Sequence, residues 1–291
     1  MNILSFDIEE WYLESVKANR QKKLREYDGY LNTILDALDQ NGQKATFFCV
    51  GEMGHCFPEV IRLIDAKGHE VGCHSNVHTW LNKMSQDEAL EDTRRAVDSL
   101  EQCIGKKVLS YRAPAFSIGK SNEWAFAVLK ECGIERDASV FPAGRDFGGF
   151  AGFGSKEPCV IQSKGVTLKE FPICTTGLIG KEVAFSGGGY FRFFPLWFVE
   201  SAMKKSKYNM TYFHIGDLVP ERRGVLTREE YEEYFKEAGT LMARYKRYIK
   251  SNLGKSGALD KMLKLMRKNE FVNVMQADEL IDWTAAPIVQ L

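Results

Sequence analysis

The chain has 291 residues, 44% of them hydrophobic and 27% charged, which is typical of a globular protein with a full-sized core. Its 39 basic residues balance its 39 acidic residues, which argues against a nucleic-acid binder, since such a protein needs a basic excess to neutralise phosphates. No apolar run approaches the roughly 18 residues that a transmembrane helix requires, so none is expected.

The amino terminus and the cysteines both bear on the compartment. The chain opens with a short apolar run and reaches Glu9 and Glu10 at once, without the basic and apolar regions of a signal peptide. Its seven cysteines are scattered and odd in number, which is typical of reduced thiols. These features predict a cytoplasmic protein, and Cys73, beside His74, is interpreted as a small core residue.

Short apolar runs alternate with amphipathic helical segments in the first half of the chain. Residues 2–7 predict a strand, and the apolar spacing from Tyr27 to Leu38 predicts a helix. Ser85 and Glu88 form the sequence signature of a capping box. The other elements predicted here are strands at 45–50, 70–73 and 108–111 and helices near 58–68, 85–104 and 124–129. This alternation is typical of parallel strands covered by helices.

The second half is less regular. Between about 143 and 192, glycines, phenylalanines and short β-like runs predict a loop-rich insertion or edge hairpins. Regular elements return with a strand at 210–215, a long helix at 227–250 and a last strand at 271–275. No linker or repeat is visible, so we predict one domain, closer to an incomplete barrel than to an open sheet.

A helical stripe near the carboxyl terminus consists of Leu259, Met262, Leu263 and Met266, flanked by lysines and arginines. Such a helix could rest on an anionic membrane and favour a lipid-linked substrate. Packing of the stripe on the domain core is the favoured interpretation, because surface helices usually bury their apolar side in this way.

The first cluster that could carry out catalysis is formed by Asp7 and Glu9, at the end of the first strand. Strand alternation puts both on the same side and turns Glu10 away, and parallel α/β folds place catalytic groups at the carboxyl ends of strands. One carboxylate can bind a metal while the other takes a proton from water. A solvated acidic strand end is the alternative.

Histidines follow two of the other predicted strands. His74 and His78 are four positions apart after the strand at 70–73, and on one helical turn both rings could bind one metal ion. Ordinary polar residues at the end of a strand are the alternative. His214 ends the strand at 210–215, where a histidine beside aromatics is otherwise a core residue.

Arg112 follows the strand at 108–111. A guanidinium at this strand end could hold a base carboxylate in its ionised form through a bidentate contact.

Taken in this order, the clusters resemble the polysaccharide deacetylase family, also known as carbohydrate esterase family 4. Residues 68–78 are similar to the histidine motif of that family, and residues 111–116 are similar to its arginine motif. The motifs lie within 1–218, and a helical part at 225–291 completes one catalytic domain. The resemblance implies an α/β fold of the distorted (β/α)7 barrel type.

The resemblance also implies a reaction, the hydrolysis of an N-acyl group, expected to be acetyl, on an amino sugar. A divalent metal, Zn²⁺ in this family type, would be held by Glu9, His74 and His78. Asp7 would be the base and His214 the acid.

Further residues receive supporting roles from the same resemblance. Arg112 would orient Asp7, and Asp137, in a segment similar to a fourth motif, would orient His214 or Arg112. The spaced pair Asp7 and Glu9 departs from the adjacent aspartates that are usual in the family. The residues predicted to contact the substrate are Pro114, Phe116, Tyr190, Phe191, Arg192 and Tyr212.

The glycine-rich segment 186–192 is similar to one in members that act on surface-glycan precursors. Three glycines beside aromatics predict a loop whose backbone a sugar can approach closely and whose rings it could stack on. An ordinary glycine turn is the alternative. The amino-sugar substrate could be nucleotide-, lipid- or polymer-linked. A deformylase-like amide hydrolase on the same fold and a catalytically inactive glycan-binding protein are the rival functions.

Overall fold

The computed structural model describes residues 1–14, 20–144, 148–163, 165–178, 180–220, 224–235 and 237–291. The strands are β1 (Asn2–Ile3), β2 (Ser5–Ile8), β3 (Thr46–Cys49), β4 (Glu70–Cys73), β5 (Ser110–Tyr111), β6 (Arg136–Asp137), β7 (Cys159–Ser163), β8 (Val166–Glu170), β9 (Thr175–Leu178), β10 (Lys181–Ala184), β11 (Asn209–Met210), β12 (Phe213–His214) and β13 (Ile288–Gln290).

The α-helices alternate with these strands through most of the chain. They are α1 (Glu10–Glu14), α2 (Arg20–Gln40), α3 (Met53–Cys56), α4 (Pro58–Ala66), α5 (Gln86–Ile104), α6 (Ala125–Glu131), α7 (Gly188–Phe193), α8 (Leu196–Lys205), α9 (Ile215–Leu218), α10 (Arg228–Phe235), α11 (Leu241–Asn252), α12 (Ala258–Lys268) and α13 (Val274–Leu280). None of the described helices is both long and apolar enough to cross a bilayer.

One large sheet organises the fold. Within the described residues it has nine strands in the order β12-β2-β3-β4-β5-β6-β8-β7-β13. The strands from β12 to β8 run parallel, whereas β7 is antiparallel to β8 and parallel to β13. The sheet is open between β12 and β13 in the described part of the chain, and the predicted α/β class with an incomplete barrel is confirmed.

Local sequence explains the central elements. Every residue of β2, β3 and β4 is buried, as expected for parallel strands that are covered on both faces. Ser85 and Glu88 form the predicted capping box at the start of α5, and Gly105 ends that helix in the left-handed conformation. The helices therefore cover the sheet where the apolar pattern indicates.

Aromatic packing holds β2, β3 and β12 together beneath their carboxyl ends. The Phe6 ring centroid lies 5.0 Å from that of Phe47 and 5.8 Å from that of Phe213, and Phe191 packs edge-on against Phe213 at 4.9 Å. Each such pair contributes about 0.5–1.5 kcal/mol beyond burial of its area. The polar residues that follow these strands are thus carried on a rigid support.

The segment near 143–192 forms hairpins, one of the two alternatives that the sequence predicts. A β7–β8 hairpin enters the main sheet through β6, and β9 and β10 form a separate hairpin. Leu168 and Glu170 of β8 are buried, so this segment belongs to the core rather than to a surface insertion.

The single long helix predicted at 227–250 is wrong. Thr227 and Glu230 do cap a helix, but it is the short α10. The hydroxyl of Thr240 accepts a hydrogen bond from the Ala243 N–H and begins α11 as a second helix. A residue with N-capping ability in the middle of a helical pattern was the signal for this break.

The strand predicted at 271–275 is also wrong. Val272 makes only an isolated bridge to Ile3, and Asn273 forms a capping box with Gln276 that begins α13. The last strand is instead β13, which pairs with β7. Helix capping at Asn273 therefore outweighs the β propensity of this segment.

The strand predicted at 210–215 is two short strands. Between β11 and β12, the hydroxyl of Thr211 accepts a hydrogen bond from the Ser5 N–H. In a continuous β ladder a backbone carbonyl would accept this bond, so the strand is interrupted here. His214 nevertheless ends a strand, as predicted.

The stripe of α12 packs on the core, which confirms the favoured interpretation of that helix. Met262 and Met266 are fully buried, and Leu259 and Leu263 pack against the same core. The alternative membrane contact through this stripe is therefore wrong, because its apolar side is already covered.

Candidate active site

Three strands bring polar residues to one edge of the sheet. Asp7 lies in β2 opposite His214 of β12, and Glu9 follows directly after β2. On the other side of β2, His74 follows directly after β4. Because parallel strands present their carboxyl ends at the same edge, these side chains meet although they are distant in sequence.

Glu9, His74 and His78 form a group that could hold a metal ion, with one ligand atom of each within 4.8 Å of the others. The Nε2 atom of His78 lies 2.5 Å from Oε2 of Glu9, and that of His74 lies 3.7 Å from the same oxygen. One carboxylate and two imidazoles are a donor set that suits Zn²⁺.

The hydrogen bonding of His74 tests whether this group fits a metal. Its Nδ1 atom lies 2.7 Å from the backbone oxygen of Arg112, which can only accept, so Nδ1 carries the proton and Nε2 carries the lone pair. That buried Nε2 has no hydrogen-bond partner among the residues that the structure describes. A buried imidazole whose free lone pair points at a carboxylate and a second imidazole fits a metal ligand with its usual supporting hydrogen bond.

The histidine loop, residues 74–78, is not the helical turn that the sequence predicts. Ser75 and His78 both have left-handed backbone conformations, with φ of 58° and 59°. The Asp92 carboxylate of α5 accepts a hydrogen bond from the Asn76 N–H at 2.9 Å and another from the Val77 N–H. Asp92 thus holds the loop in this conformation. It lies 14 residues after His78, and nothing in the sequence pattern indicated this role.

The structure distinguishes Glu9 from Glu10. Glu10 begins α1, is almost fully buried, and accepts a hydrogen bond from the Gly216 N–H just after His214. Burial and the neighbouring Glu9 charge raise the pKa of Glu10 to about 7. Burial opposes ionisation of Glu9 as well, but the rings of His78 and His214 outweigh it and hold the Glu9 pKa well below its usual range. Glu9 faces the histidines, as the strand pleat predicts.

Asp7 and Arg112 form a buried ion pair, with Nη1 of Arg112 2.7 Å from Oδ1 of Asp7. The same nitrogen donates to the Ser5 hydroxyl, and the guanidinium stacks 4.2 Å from the Phe48 ring centroid. Arg112 therefore contacts Asp7 through its side chain and His74 through its carbonyl. It connects the candidate base to the candidate metal site, as its predicted orienting role requires.

His214 faces both acidic residues. Its Nε2 atom lies 3.7 Å from Oδ2 of Asp7 and 3.9 Å from Oε1 of Glu9. On the other side of the ring, Nδ1 lies 3.1 Å from a carboxylate oxygen of Asp217, which fixes the ring orientation. The sequence analysis did not identify Asp217, although its position three residues after His214 was an available signal.

The charge state of His214 follows from these neighbours. Burial disfavours the imidazolium, but the carboxylates of Glu9, Asp217 and Asp7 outweigh it and raise the His214 pKa to about 10. A cation held by Glu9 would offset part of this effect. The carboxylates of Asp7 and Asp217 still favour a protonated ring near neutral pH.

The predicted role of Asp137 as the residue that orients His214 or Arg112 is wrong. Among the described residues, the side-chain partners of Asp137 are Ser139 and Glu170. Burial raises the pKa of Asp137 to about 6, and burial together with the Asp137 charge raises the pKa of Glu170 far above its usual range. Asp137 belongs to a buried carboxyl pair that shares a proton, and Asp217 orients His214 instead.

The glycine-rich loop approaches protein rather than sugar. A Cβ atom at Gly187 would lie 1.9 Å from the Tyr212 backbone oxygen, so only glycine fits there. Phe191, predicted to stack on substrate, is fully buried against Phe213, and that prediction is wrong. Tyr190 alone in this loop presents an exposed ring.

Arg192 also differs from its prediction as a substrate contact. It is buried, donates to the backbone oxygens of Lys250 and Ser251, and lies 3.4 Å from Asp217. Its charge therefore supports the carboxylate that orients His214.

Pro114, Phe116 and Tyr212 form a buried wall beside Arg112. The Phe116 and Tyr212 rings pack edge-on with centroids 5.1 Å apart, and the Arg112 guanidinium lies 5.7 Å from the Phe116 centroid. Their contact with substrate stays a prediction. An aromatic that the sequence analysis missed, Tyr234 of α10, is 41% exposed and stacks on His78 with centroids 6.4 Å apart.

Comparison with known proteins places these residues in a family context. The chain is 33% identical over 93 residues to a peptidoglycan-N-acetylglucosamine deacetylase of Bacillus cereus, which is 32% of this chain and 34% of that protein. It is 35% identical over 83 residues to a peptidoglycan-N-acetylmuramic acid deacetylase of Bacillus subtilis, covering 28% of this chain and 18% of that protein. A chitin deacetylase of Pestalotiopsis is 31% identical over 91 residues, 30% of each chain. These relatives are matched over about a third of their length or less.

The fold has a counterpart among solved structures. A crystal structure from Mycobacterium smegmatis, assigned as a polysaccharide deacetylase, matches with a TM-score of 0.62 and 17% identity over 99% of this chain and 92% of that chain. At this identity the match establishes the fold alone.

Two family models match adjacent parts of the chain. A polysaccharide deacetylase model matches residues 25–136, and a domain of unknown function (DUF3473) matches residues 138–279. The first segment supplies the histidine loop and Arg112, whereas His214 and Asp217 lie in the second. Both segments contribute strands to one sheet, and the histidine and arginine motifs at the edge of that sheet lie in the segment that matches the polysaccharide deacetylase family.

Proposed function

We propose that this protein is a metal-dependent hydrolase that removes an N-acyl group, acetyl, from an amino sugar. The observation that carries the proposal is the position of His214, whose Nε2 lies within 4 Å of both Asp7 and Glu9. A candidate acid, a candidate base and a candidate metal-binding group thus share one small volume. Amide hydrolysis needs a metal that polarises the carbonyl group, a base that activates water and an acid that protonates the leaving amine nitrogen.

Glu9, His74 and His78 are the residues that would hold the metal. A bound divalent ion of the Zn²⁺ type polarises an acyl carbonyl and lowers the pKa of a bound water. The Arg112 carbonyl supports this group by fixing the His74 tautomer with its lone pair directed inward.

Asp7 acts as the general base in this proposal. The Arg112 guanidinium neutralises the pocket around it and holds one of its oxygens, Oδ1, which leaves Oδ2 directed at His214. An ionised carboxylate held in this way can accept a proton from a water molecule that attacks the acyl carbon. Arg112 orients the base and does not itself take part in proton transfer.

His214 acts as the general acid. The carboxylates of Asp7 and Asp217, on the two sides of its ring, favour the protonated form near neutral pH. Asp217 holds Nδ1, so the proton on Nε2 is the one available for the departing amine nitrogen. Protonation of that nitrogen permits the C–N bond to break.

An N-acetylated amino sugar is the substrate class that the relatives favour, since those compared above carry the names of deacetylases of peptidoglycan sugars and chitin. Exposed aromatic rings at Tyr190 and Tyr234 offer apolar faces on which a sugar ring could stack. We further propose that the enzyme works in the cytoplasm on a surface-glycan precursor, and the seven free cysteines support that compartment.

Acetate release by metal-loaded protein tests the proposal. Purified protein is incubated with nucleotide-linked, lipid-linked and polymeric N-acetyl sugars, and acetate and formate are both quantified. Acetate from at least one substrate is expected, with precursor forms preferred over assembled polymer. Release of formate from N-formyl analogues alone would favour the deformylase alternative. Glycan binding without any turnover in the metal-loaded protein would favour the inactive glycan-binding alternative.

A further inference from the structure

Helix α11 carries its apolar residues on the side that faces solvent. Met242 is 82% exposed, Leu241 62%, Ile249 58% and Tyr245 50%. On a helical projection these four residues lie within an arc of about 100°, so they form one continuous stripe. We call this set, Leu241, Met242, Tyr245 and Ile249, the outer stripe.

The opposite side of α11, which packs on the protein, is the cationic one. Arg244 donates a hydrogen bond to the Leu226 backbone oxygen at 3.1 Å, and the Arg247 guanidinium lies 4.2 Å from the Phe235 ring centroid. None of the residues of α11 is fully buried. The helix is therefore inverted relative to an ordinary surface helix, which buries its apolar side and exposes its charges.

The charge of α11 is one-sided as well. Within Leu241–Asn252 the ionisable side chains other than tyrosine are all basic, namely Arg244, Lys246, Arg247 and Lys250. The whole chain, by contrast, has equal numbers of acidic and basic residues. Lys246 and Lys250 are exposed, and on the helical projection Lys246 lies beside the outer stripe, about 40° from Met242. An exposed apolar stripe bordered by cations complements a surface that offers both anionic groups and an apolar layer.

Exposed aromatics also lie in α7 and α8, and α7 meets the carboxyl end of α11. Arg192 of α7 donates to the backbone oxygens of Lys250 and Ser251 at the end of α11, so the two helices meet there. The residue after Arg192 is Phe193, which is exposed, and Trp197 in the first turn of α8 is 69% exposed. Aromatic residues with one wet side are typical of the boundary between lipid headgroups and acyl chains.

We propose that the outer stripe, together with Phe193 and Trp197, docks the protein peripherally on an anionic lipid surface. A lipid surface fits better than a second copy of the chain, because the same patch on a copy would bring two cationic borders together. Apolar side chains enter the headgroup region, and lysines near an anionic surface add electrostatic attraction.

Docking would also place the active site close to the lipid surface. Arg192, which contacts the end of α11, lies 3.4 Å from Asp217, and Asp217 contacts His214. The lipid-facing surface is thus joined to the active site by a short series of direct contacts. The proposed lipid binding does not depend on the proposed hydrolase activity.

Vesicle co-sedimentation tests lipid binding directly. Wild-type protein is mixed with vesicles of phosphatidylglycerol and phosphatidylcholine, and in parallel with vesicles of phosphatidylcholine alone. We expect sedimentation with the anionic vesicles that weakens as salt is added, and at least about tenfold weaker binding for the double variant Met242→Glu, Ile249→Glu. Lys246→Glu should weaken binding to anionic vesicles by a smaller factor.

The matched control is Leu280→Glu, at an apolar residue of α13 that is 69% exposed. This variant should bind as wild type does, and circular dichroism with a thermal melt verifies that all variants are folded. Equal binding to neutral and anionic vesicles, or no binding to either, would overturn the proposal. A concentration-dependent dimer that Met242→Glu abolishes, observed by light scattering, would also overturn it and identify a second copy as the occupant.

Discussion

The two ends of the parallel strands both carry buried charges, and they differ in how completely those charges are paired. At the amino ends a basal cluster is formed by Glu70, Arg136, Lys169 and Asp278. Glu70 accepts hydrogen bonds from the Thr46 and Ser110 hydroxyls, each at 2.6 Å, and from the Met275 N–H at 2.9 Å. Asp278 lies 3.3 Å from Arg136 and 2.6 Å from Lys169.

The carboxyl ends are different. The buried Nε2 atom of His74 has no hydrogen-bond partner in the described part of the chain, and it faces a carboxylate and a second imidazole. Buried polar atoms are normally satisfied within the fold, so an unsatisfied imidazole nitrogen beside two other metal-type donors favours an external ligand. The basal cluster joins α13 to the sheet with its charges paired internally, whereas the opposite end leaves donor atoms for something that the chain itself does not supply.

The largest effect is expected at the metal-type donors. Glu9→Ala removes the only carboxylate of the candidate group, and we expect protein that purifies largely metal-free and inactive, with affinity reduced well beyond the ~10–100-fold typical of supporting residues. Glu10→Ala should keep near-stoichiometric metal, because Glu10 binds the Gly216 N–H instead. Elemental analysis of both purified variants makes the measurement. Metal retained by Glu9→Ala and lost by Glu10→Ala would contradict the assignment.

The next largest effect concerns proton transfer. Asp7→Asn and His214→Ala should each lower kcat by roughly 10²–10⁴ while metal content stays unchanged. Steady-state rates of acetate release, paired with metal analysis of the same samples, separate this effect from loss of the metal. Wild-type rates in both variants would remove the acid–base assignment.

The basal cluster should respond in stability rather than in activity. Arg136→Met leaves Glu70 and Asp278 short of a cation, and we expect the free energy of unfolding to fall by about 3–5 kcal/mol. Urea denaturation measures this fall, and activity per folded molecule should be unchanged. Glu9→Gln is the matched change at the opposite end and should alter stability by less than about 1 kcal/mol. Equal destabilisation by both variants would erase the distinction between the two ends.

A smaller effect is expected from the residue that holds the histidine loop. Asp92→Ala removes the acceptor for the Asn76 and Val77 N–H groups and should weaken metal binding by about 10–100-fold. Competition with a chromophoric chelator measures the affinity. Asp92→Asn, which keeps one acceptor oxygen, should recover part of it. A purely structural role would instead lower the melting temperature and leave the affinity of the folded protein unchanged.

The smallest effect is expected at the Asp137–Glu170 pair, which lies at the carboxyl edge but is paired internally. Both carboxyl pKa values are raised by burial, so their stabilising contribution is present at low pH and is lost as the pH rises through the folded-state values. The free energy of unfolding should therefore fall as the pH rises from about 4, the ordinary carboxyl range, through about 6 and above. Glu170→Gln, which cannot ionise, should reduce that fall by on the order of 1 kcal/mol.

A fall that is unchanged in Glu170→Gln would show that other groups cause it. Denaturant titrations at matched ionic strength provide the comparison.

The ends of strands could be predicted where a local run of apolar residues is interrupted by a polar residue. β4 was predicted with both its boundaries, and the positions of Asp7, His74 and His214 at strand ends follow from apolar runs interrupted by a polar residue. Segments in which capping competes with propensity were not predictable in this way. Thr240 and Asn273 each begin a helix where the apolar pattern indicated continuous helix or strand.

The sequence by itself determined the types of side chain available for chemistry and, through strand alternation, that Glu9 rather than Glu10 faces the histidines. Only the tertiary structure decided which supporting groups those side chains receive. Asp92 and Glu170 gain their roles from contacts made across the sheet or around a loop, and such contacts leave no periodic signal. The same holds for α11, since an amphipathic pattern gives the direction of the apolar stripe but not which side of the helix packs on the protein.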